Sequence, residues 1–316
     1  MTLKSFLKKF LLNRTIPKEY LCVSKEKYAD SIKVFIQSGE NTFEVTNDHA
    51  LLGYKPLIIL INSTPFETDN RLPEHLLLSF RTIQEFEIAQ LQIKKIEDCK
   101  FNCYSYSLYC SEKGLHRFSS PMVKLFQYFH YNFKAKRGEN VFLNGNQHDQ
   151  IKIAYSLPRK ISLVSLFEID LVNIFPVDIN GEAGNSEYLI SLRSGSKSSS
   201  QIKKVGRVVL CAIESSRCSE VYKMEKNHMK DMISIKNFSI EKERSELFNN
   251  PLPLGTINYK ELEMIDSFEY GIHEIHLLKV LNSKTMKENR PTLAHIHRDI
   301  VEWRLRRNIP TEFILR

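Results

Sequence analysis

PRKISLVSLFEIDLVNIFPVDINGEAGNSEYLISLRSGSKSSSQIKKVGRVVLCAI, residues 158–213, is the stretch of this chain that predicts its fold. Residues 160–166, 187–193 and 205–213 are rich in branched and aliphatic side chains, and each run has the length of a strand. Two loops dense in small polar residues separate the three predicted strands. No other segment combines strongly β-forming runs and polar loops in this way, so we expect the functional site here.

Length and composition indicate a globular protein without a membrane span. The 316 residues suffice for one large core or two ordinary ones, and 42% hydrophobic and 26% charged residues are typical of a soluble chain. Neither a run of about 18 apolar residues nor a signal peptide is visible. The six cysteines contain no CxxC pair, which favours reduced thiols over a zinc site. A cytoplasmic protein is therefore expected.

The formal net charge of +8 is compatible with polyanionic partners. The basic residues are scattered through every segment, however, and only Arg304, Arg306 and Arg307 cluster, beside Trp303. Because most charge runs are solvated faces, nucleic acid is not the expected partner. A basic protein that binds nucleic acid or an anionic surface is kept as an alternative hypothesis.

The first 14 residues, MTLKSFLKKFLLNR, place apolar side chains on one helical face and basic ones elsewhere. This pattern suits a membrane-surface or targeting helix as well as a terminal helix. We favour a helix that docks on its own domain or on a partner subunit.

The rest of the N-terminal half mixes strand and helix patterns. Strands are predicted at 33–37 and 42–45, joined as a hairpin, and at 56–61, where a continuous apolar run suggests burial on both faces. Residues 72–90 mix Leu, Phe and Ile with Glu and Gln, and are predicted to be helical. Residues 101–109 are predicted to form an exposed strand.

A third helix is predicted from the pair Ser120-Pro121, an N-cap followed by a first helical residue. Gly138 is expected to end it. Its apolar side chains recur at helical spacing and are interpreted as core: Met122, Leu125, Phe126, Phe129 and Phe133. Residues 138–150 are the best linker candidate.

Three short motifs follow one another in the C-terminal half. The strand KISLVSL leads to Asn173-Ile-Phe-Pro176-Val-Asp178. Lys197-Ser-Ser-Ser-Gln-Ile202 then follows a predicted strand that ends at Arg193, and Tyr270-Gly-Ile-His273 opens a late β-run. Over residues 150–285 this order resembles the flavin reductase-like family, whose split β-barrel binds FMN. Asp178 stands where that family usually has Ser.

The resemblance implies a set of cofactor-binding residues. Those expected at the flavin ring are Ser165, Asn173, Ile174, Phe175, Pro176 and Asp178. Those expected at the FMN phosphate are Arg193, Lys197, Ser198, Ser199 and Ser200. His273 is the candidate catalytic residue, because the resemblance implies a position near the flavin or an incoming nicotinamide.

The chemistry of these residues agrees with this interpretation. A phosphate needs charge-assisted donors, which Arg193, Lys197 and the neighbouring serine hydroxyls offer. A helix that begins near Ser198 would add free N–H groups and its dipole. An irregular loop around Pro176 would offer unpaired backbone groups to the polar edge of the ring. The alternatives are a flexible polar turn for the serine run and a turn residue at Asn173.

The histidines do not predict a metal site. On a strand, His273 and His276 point to opposite faces and cannot easily share one ion. A partly buried, hydrogen-bonded histidine is the alternative for His273. His295 and His297 lack a carboxylate or thiolate pattern that demands a metal.

We therefore predict a mainly β protein with an FMN-binding split β-barrel in the C-terminal half and an α+β N-terminal extension. The predicted units are 1–145 and 146–316, and the first is alternatively a degenerate copy of the barrel. The predicted function is an NAD(P)H-dependent flavin reductase or FMN-mediated oxidoreductase, with FAD as a possible substrate. The resemblance also implies a homodimer. The alternative is a non-catalytic flavin-binding or interaction module that retains the barrel.

Overall fold

The computed structural model describes residues 20–24, 32–38, 41–64, 72–101, 104–137, 141–184, 186–309 and 314–315. Strands predominate in these ranges, which confirms the prediction of a mainly β protein. None of the helices described is long and apolar enough to cross a membrane. Residues 1–14, Gly138 and the turn at residues 39–40 lie outside the described residues.

The N-terminal half forms a seven-stranded antiparallel sheet in the order β3-β2-β6-β7-β8-β5-β4. A short strand β1, Tyr20–Ser24, precedes this sheet and pairs with Leu293–His297 near the C-terminus. The strands of the sheet are β2 Ile32–Ser38, β3 Asn41–Glu44, β4 His49–Tyr54, β5 Leu57–Asn62, β6 His75–Thr82, β7 Glu87–Phe101 and β8 Tyr104–His116.

The predicted helix at 72–90 is wrong, because this segment contains β6 and the start of β7. Leu76, Leu78 and Phe80 alternate along β6 and are buried, as expected of a strand with one face in the core. The turn between the strands is completed by Glu85, whose φ is +60°. The mixture of apolar and acidic residues suits either structure, and pairing with β2 and β7 decides for the strand.

Two helices follow the sheet, α1 Pro121–Lys136 and α2 Gln147–Ala154. Ser120 caps α1 as predicted, since its hydroxyl accepts from the Val123 N–H. The core interpretation of its aromatic stripe is wrong, because all five of those side chains are exposed. The predicted linker at 138–150 is also corrected, because the buried helix α2 begins inside it.

The C-terminal half forms an eight-stranded antiparallel sheet in the order β12-β13-β19-β18-β14-β10-β11-β15. It curls on itself, since β11 and β12 lie near opposite ends of this order, although only Asp178 and Ile179 separate them in the chain. The elements from here on are β9 Arg159–Lys160, β10 Ser162–Glu168, β11 Leu171–Val177, β12 Asn180–Ala183, β13 Glu187–Arg193, α3 Lys197–Val205, β14 Arg207–Ile213, α4 Cys218–Met224, β15 Ile233–Ser234, β16 Ile240–Arg244, β17 Pro251–Pro253, β18 Thr256–Tyr270, β19 His273–Thr285, β20 Leu293–His297 and α5 Arg298–Leu305.

The two sheets pack against each other through a shared apolar cluster. Leu52 and Leu60 of the N-terminal sheet contact a group that includes Leu189 and Ile275 of the C-terminal sheet. The β4–β5 hairpin thereby crosses the ends of β13 and β19. There the Ser191 hydroxyl donates to the Leu52 carbonyl (2.6 Å), and the Ile272 N–H donates to the Lys55 carbonyl (3.2 Å).

Gly271 permits this close approach. Its φ is +60°, and a Cβ at this position would lie 2.0 Å from the Lys55 carbonyl oxygen. Only glycine fits both constraints. The glycine of the predicted Gly-x-His motif is therefore where the hairpin of one sheet meets the other.

Candidate functional site

A cavity of about 370 Å³ lies where the β4–β5 hairpin meets the curled sheet. Its apolar wall comprises Ile161, Pro176, Val177, Ile179, Leu192, Val221 and Met229. Its polar and aromatic groups are Tyr54, Asp178, Ser191, Arg193, Ser196, Tyr222, Glu225, His228, His273 and His295. An apolar enclosure with a few convergent polar groups is the usual form of a small-molecule site.

One end of the cavity can hold an anion. The exposed Arg193 guanidinium donates to the Tyr54 hydroxyl (3.1 Å) and lines the cavity. Ser196, also in the wall, is the N-cap of α3 and accepts from the Ser199 N–H (3.2 Å). The N-terminal end of α3 therefore adds its dipole beside a fixed positive charge, and both favour a bound anion.

The serine run forms the first turn of α3 rather than a flexible turn, and its side chains are already engaged. Lys197 pairs with Asp231 on the surface (2.6 Å), and the buried Ser198 hydroxyl bonds to His228 (3.2 Å). Ser199 donates to the Glu274 carboxylate and contacts His276 (2.9 Å). The Ser200 hydroxyl donates to the backbone carbonyl of Ser196, one turn earlier (3.5 Å).

These contacts keep the side chains of residues 197–200 out of the cavity wall. A helix that starts at Lys197 turns the hydroxyls of Ser198 and Ser199 toward the protein interior, where polar partners satisfy them. A carboxylate next to Ser199 also disfavours a second anion there. Of the predicted phosphate ligands, only Arg193 lines the cavity, and Ser196 joins it.

The expected ring-binding loop is a regular strand. Residues 171–177 pair with β10 along their whole length, so the ladder engages the backbone groups that face β10. The carbonyls of Ile174 and Pro176 face the other way and accept from the Asn227 amide (2.9 Å) and from His228 Nε2 (2.7 Å). Pro176 and Asp178 line the cavity, whereas Ile174 and Phe175 are buried in the cores on either side of the strand.

Asn173 and Ser165 are likewise turned away from the cavity. The Asn173 amide donates to the Gln201 side chain (2.7 Å) and to the Asn227 carbonyl (3.2 Å). The Ser165 hydroxyl donates to the Pro251 carbonyl (2.8 Å). Both side chains are buried and satisfied, and their contacts hold α3 and β17 against the curled sheet.

Asp178 organises a chain of hydrogen bonds in the cavity wall. It accepts from His295 Nδ1 (2.7 Å) and from the Tyr155 hydroxyl (3.2 Å). Because Nδ1 carries the proton in this arrangement, Nε2 accepts from the Tyr222 hydroxyl (2.6 Å). Burial raises the pKa of Asp178, but these hydrogen bonds and the His295 ring outweigh it and lower the pKa overall.

His273 presents one unpaired nitrogen in a wall of the cavity. The Ser191 hydroxyl donates to Leu52, so it accepts from His273 Nδ1 (3.0 Å). Nε2 is then an acceptor, and it is buried without a partner. The Tyr54 ring packs edge-on against the imidazole at 4.5 Å. Burial and the nearby Arg193 lower the pKa of His273 to about 4, so the ring is neutral at pH 7.

Sequence reasoning missed Tyr54, Tyr222, His228 and His295 as cavity residues. Tyr54 comes from the other sheet, and the remaining three lie outside the resembling motifs. His228 donates from Nε2 to the Pro176 carbonyl (2.7 Å) and so accepts at Nδ1 from Ser198. The local sequence around Pro176 does not indicate that a histidine 52 residues later is its hydrogen-bond partner. Within the described residues, no three His, Cys, Asp or Glu side chains form a metal-binding group.

No family model and no curated protein matches this chain. Among solved structures it is similar to BorF, the flavin reductase component of a bacterial two-component tryptophan halogenase, at 10% identity and a TM-score of 0.41, over 46% of this chain and 91% of that one. It is similar to the NADH:FAD oxidoreductase SgcE6 of Streptomyces globisporus C-1027 at 12% identity and a TM-score of 0.41, over 49% and 92%. An FMN-binding protein from Thermus thermophilus gives 17% identity and a TM-score of 0.38, over 43% and 79%. Flavin reductases and FMN-binding proteins therefore recur among the similar structures, with TM-scores below 0.5.

Proposed function

We propose that the cavity binds FMN and that the protein is a flavin-dependent oxidoreductase. The observation that carries the proposal is the convergence of three separate segments on one cavity: Pro176–Val177–Asp178, Arg193 with Ser196, and His273. These are the segments in which the sequence resembles the flavin reductase-like family. The cavity volume lies within the range of about 300–1,000 Å³ that is usual for small-molecule sites.

The groups in the wall suit the parts of a flavin nucleotide. Arg193 and the start of α3 would hold the phosphate, since they supply the fixed positive charge and the helix dipole. The apolar wall would enclose the ring system. The orphaned Nε2 of His273 would accept a hydrogen bond from a donor on the cofactor, which would remove the cost of its burial without a partner.

The bound flavin would supply hydride chemistry, with NAD(P)H as donor and FAD as a possible alternative substrate. The side chains of the protein would position the cofactor and exclude water. His273 would act as a neutral acceptor rather than as an acid, given its lowered pKa. A homodimer, which the resemblance implies, and a cytoplasmic location, which the cysteine pattern favours, belong to the same proposal.

The proposal is tested by titrating the purified protein with FMN and following the flavin fluorescence. Arg193→Gln is expected to weaken binding about 10- to 100-fold, the effect of removing a charge-assisted hydrogen bond. Lys197→Gln is the matched control, because it removes an equal charge four residues away that is paired with Asp231. Equal losses for the two variants, or no flavin binding by the parent, would reject the assignment.

A non-catalytic flavin-binding module is the second candidate. The β4–β5 hairpin favours it, because Tyr54 forms a wall of the cavity and contacts both Arg193 and His273. The hairpin would thereby restrict the space for a nicotinamide nucleotide beside the flavin. NAD(P)H oxidation by the FMN-loaded protein supports the enzyme, whereas tight FMN binding without turnover supports the module.

A further inference from the structure

Helix α1 has the reverse of the usual amphipathic arrangement. Its apolar side chains face solvent, with exposed fractions of 82% for Met122, 58% for Leu125, 46% for Phe126, 63% for Phe129 and 53% for Phe133. A contiguous row of large exposed apolar side chains on a soluble protein marks an interaction surface. We call these five residues the α1 apolar face.

The polar side of α1 is anchored in the protein, so the helix cannot simply rotate to bury its apolar face. The buried Gln127 amide donates to Asp299 (2.9 Å) and accepts from Lys152. The buried Tyr131 ring stacks on His148 with centroids 5.5 Å apart, and Asn132 also contacts His148 (3.5 Å). These contacts fix the outward orientation of the α1 apolar face.

The charge of α1 indicates the chemistry of its partner. Residues 121–137 include four Lys or Arg residues and no Asp or Glu. Lys136 and Arg137 are exposed at its C-terminal end, and the Arg137 guanidinium lies 4.2 Å from the centre of the Phe133 ring. Aromatic and aliphatic side chains beside basic ones are typical of a helix that lies in the interface of an anionic bilayer.

The same charges argue against two other occupants. A second copy of α1 would offer only cations to these cations, because a two-fold interface places one surface against itself. The segment 1–14 carries four Lys or Arg residues and no acid, so it meets the same repulsion.

We propose that the α1 apolar face docks on an anionic lipid surface, with Phe126 and Phe129 in the acyl boundary and Lys136 and Arg137 at the headgroups. The contact is peripheral and reversible. It is independent of the cavity and of whatever ligand the cavity binds.

The test is co-sedimentation of the full chain with vesicles of phosphatidylcholine containing about 30% phosphatidylserine, and with pure phosphatidylcholine vesicles. We expect binding to the anionic vesicles and at least about tenfold weaker binding to the neutral ones, with further weakening as salt is raised. Phe126→Gln/Phe129→Gln is expected to weaken binding about tenfold or more, without changing net charge. Lys136→Gln/Arg137→Gln is expected to weaken binding to anionic vesicles only.

The matched control is Ile169→Gln/Leu247→Gln, which also replaces two exposed apolar side chains, outside α1. It is expected to bind as the parent does, and circular dichroism checks that every variant is folded. Equal binding to the anionic vesicles by Phe126→Gln/Phe129→Gln and by this control would overturn the proposal. The proposal would also be overturned if the parent protein formed dimers but did not bind vesicles, and if Phe126→Gln/Phe129→Gln abolished the dimer. The α1 apolar face would then serve self-association.

Discussion

Asp178 and His295 are 117 residues apart in the chain and joined by a 2.7 Å hydrogen bond in the cavity wall. The pair connects the end of β11 to β20, and Tyr155 and Tyr222 extend it on either side. Asp178 is also the position at which the sequence departs from the serine usual in the flavin reductase-like family. Here the carboxylate accepts hydrogen bonds from two side chains, a role that a serine hydroxyl would not fill in the same way.

Asp178→Asn is expected to lower the free energy of unfolding by about 1–3 kcal/mol, because it removes the charge that accepts from His295. Asp231→Asn, on the surface, is the control and is expected to change it by less than about 1 kcal/mol. Urea denaturation at pH 7 measures both. Equal effects would mean that the Asp178 pair does not stabilise the fold.

The same variant is expected to change how the free energy of unfolding depends on pH. The pKa of Asp178 is lowered in the fold, so its carboxylate stabilises the native state above its unfolded pKa of about 4. This contribution is lost as pH falls through the lower folded value. The stability of Asp178→Asn is therefore expected to depend less steeply on pH below about 4 than that of the parent.

Buried histidines predict unfolding in mild acid. Burial lowers the pKa to about 4 in His148, His273 and His276, and to about 3 in His297. An unfolded histidine titrates near 6.5, so the unfolded state binds more protons between these values and stability falls as pH falls from about 6.5. We expect the fluorescence of the buried Trp303 to report cooperative unfolding between about pH 6 and pH 4. A native signal unchanged at pH 4 would contradict this.

Lys152 and Asp299 form a buried ion pair between α2 and α5 (3.1 Å). Lys152→Met is expected to destabilise the protein by about 3–5 kcal/mol, because it leaves the Asp299 carboxylate buried without its cation. Lys204→Met breaks an exposed pair with Glu168 and is expected to cost less than about 1 kcal/mol. Thermal unfolding of both variants measures the difference. A loss for Lys152→Met as small as that for Lys204→Met would show that the pair is dispensable.

Gly271 and Gly206 distinguish two reasons why a position requires glycine, a positive φ and the lack of space for a Cβ. Both have positive φ, but a Cβ at Gly206 would meet no atom within 4 Å, whereas one at Gly271 would collide with Lys55. Gly206→Ala is expected to cost about 1–2 kcal/mol, the price of a left-handed alanine. Gly271→Ala is expected to cost more than that, because the hairpin that carries Tyr54 must move, and for the same reason to weaken the proposed binding of FMN. If urea denaturation gives equal losses of unfolding free energy for the two variants, the clash of a Cβ at position 271 with Lys55 does not contribute.

The strands of the C-terminal half could be predicted because their signal is local. Residues 187–193 coincide with β13, and the branched residues of 205–213 contain β14. The predicted helix at residues 72–90 is wrong because a mixed apolar and acidic pattern suits helix and strand alike until pairing partners are known. The prediction that the α1 apolar face is buried is wrong for a related reason, since helical spacing indicates an amphipathic helix but does not indicate which face is buried.

The candidate site was predicted only where it depends on chain order. Pro176, Asp178, Arg193 and His273 line the cavity, and they belong to the motifs of the resemblance. The orientation of Asn173 and Ser199 could not be predicted, because it depends on Gln201 and Glu274, which are brought close by the curl of the sheet. Tyr54 depends on contact between the two sheets, about which the local pattern carries no information.

The Gly271–Lys55 contact also limits how the chain can be divided. A fragment starting at residue 146 would lose Tyr54 and would present Leu189, Ile275 and Leu277 to water, since their packing partners lie in the N-terminal sheet. Engineering that transplants the C-terminal half alone would therefore expose these apolar side chains and leave the cavity without its Tyr54 wall. The β4–β5 hairpin would have to be retained, either as a separate polypeptide supplied in trans or fused to the C-terminal half through a new linker.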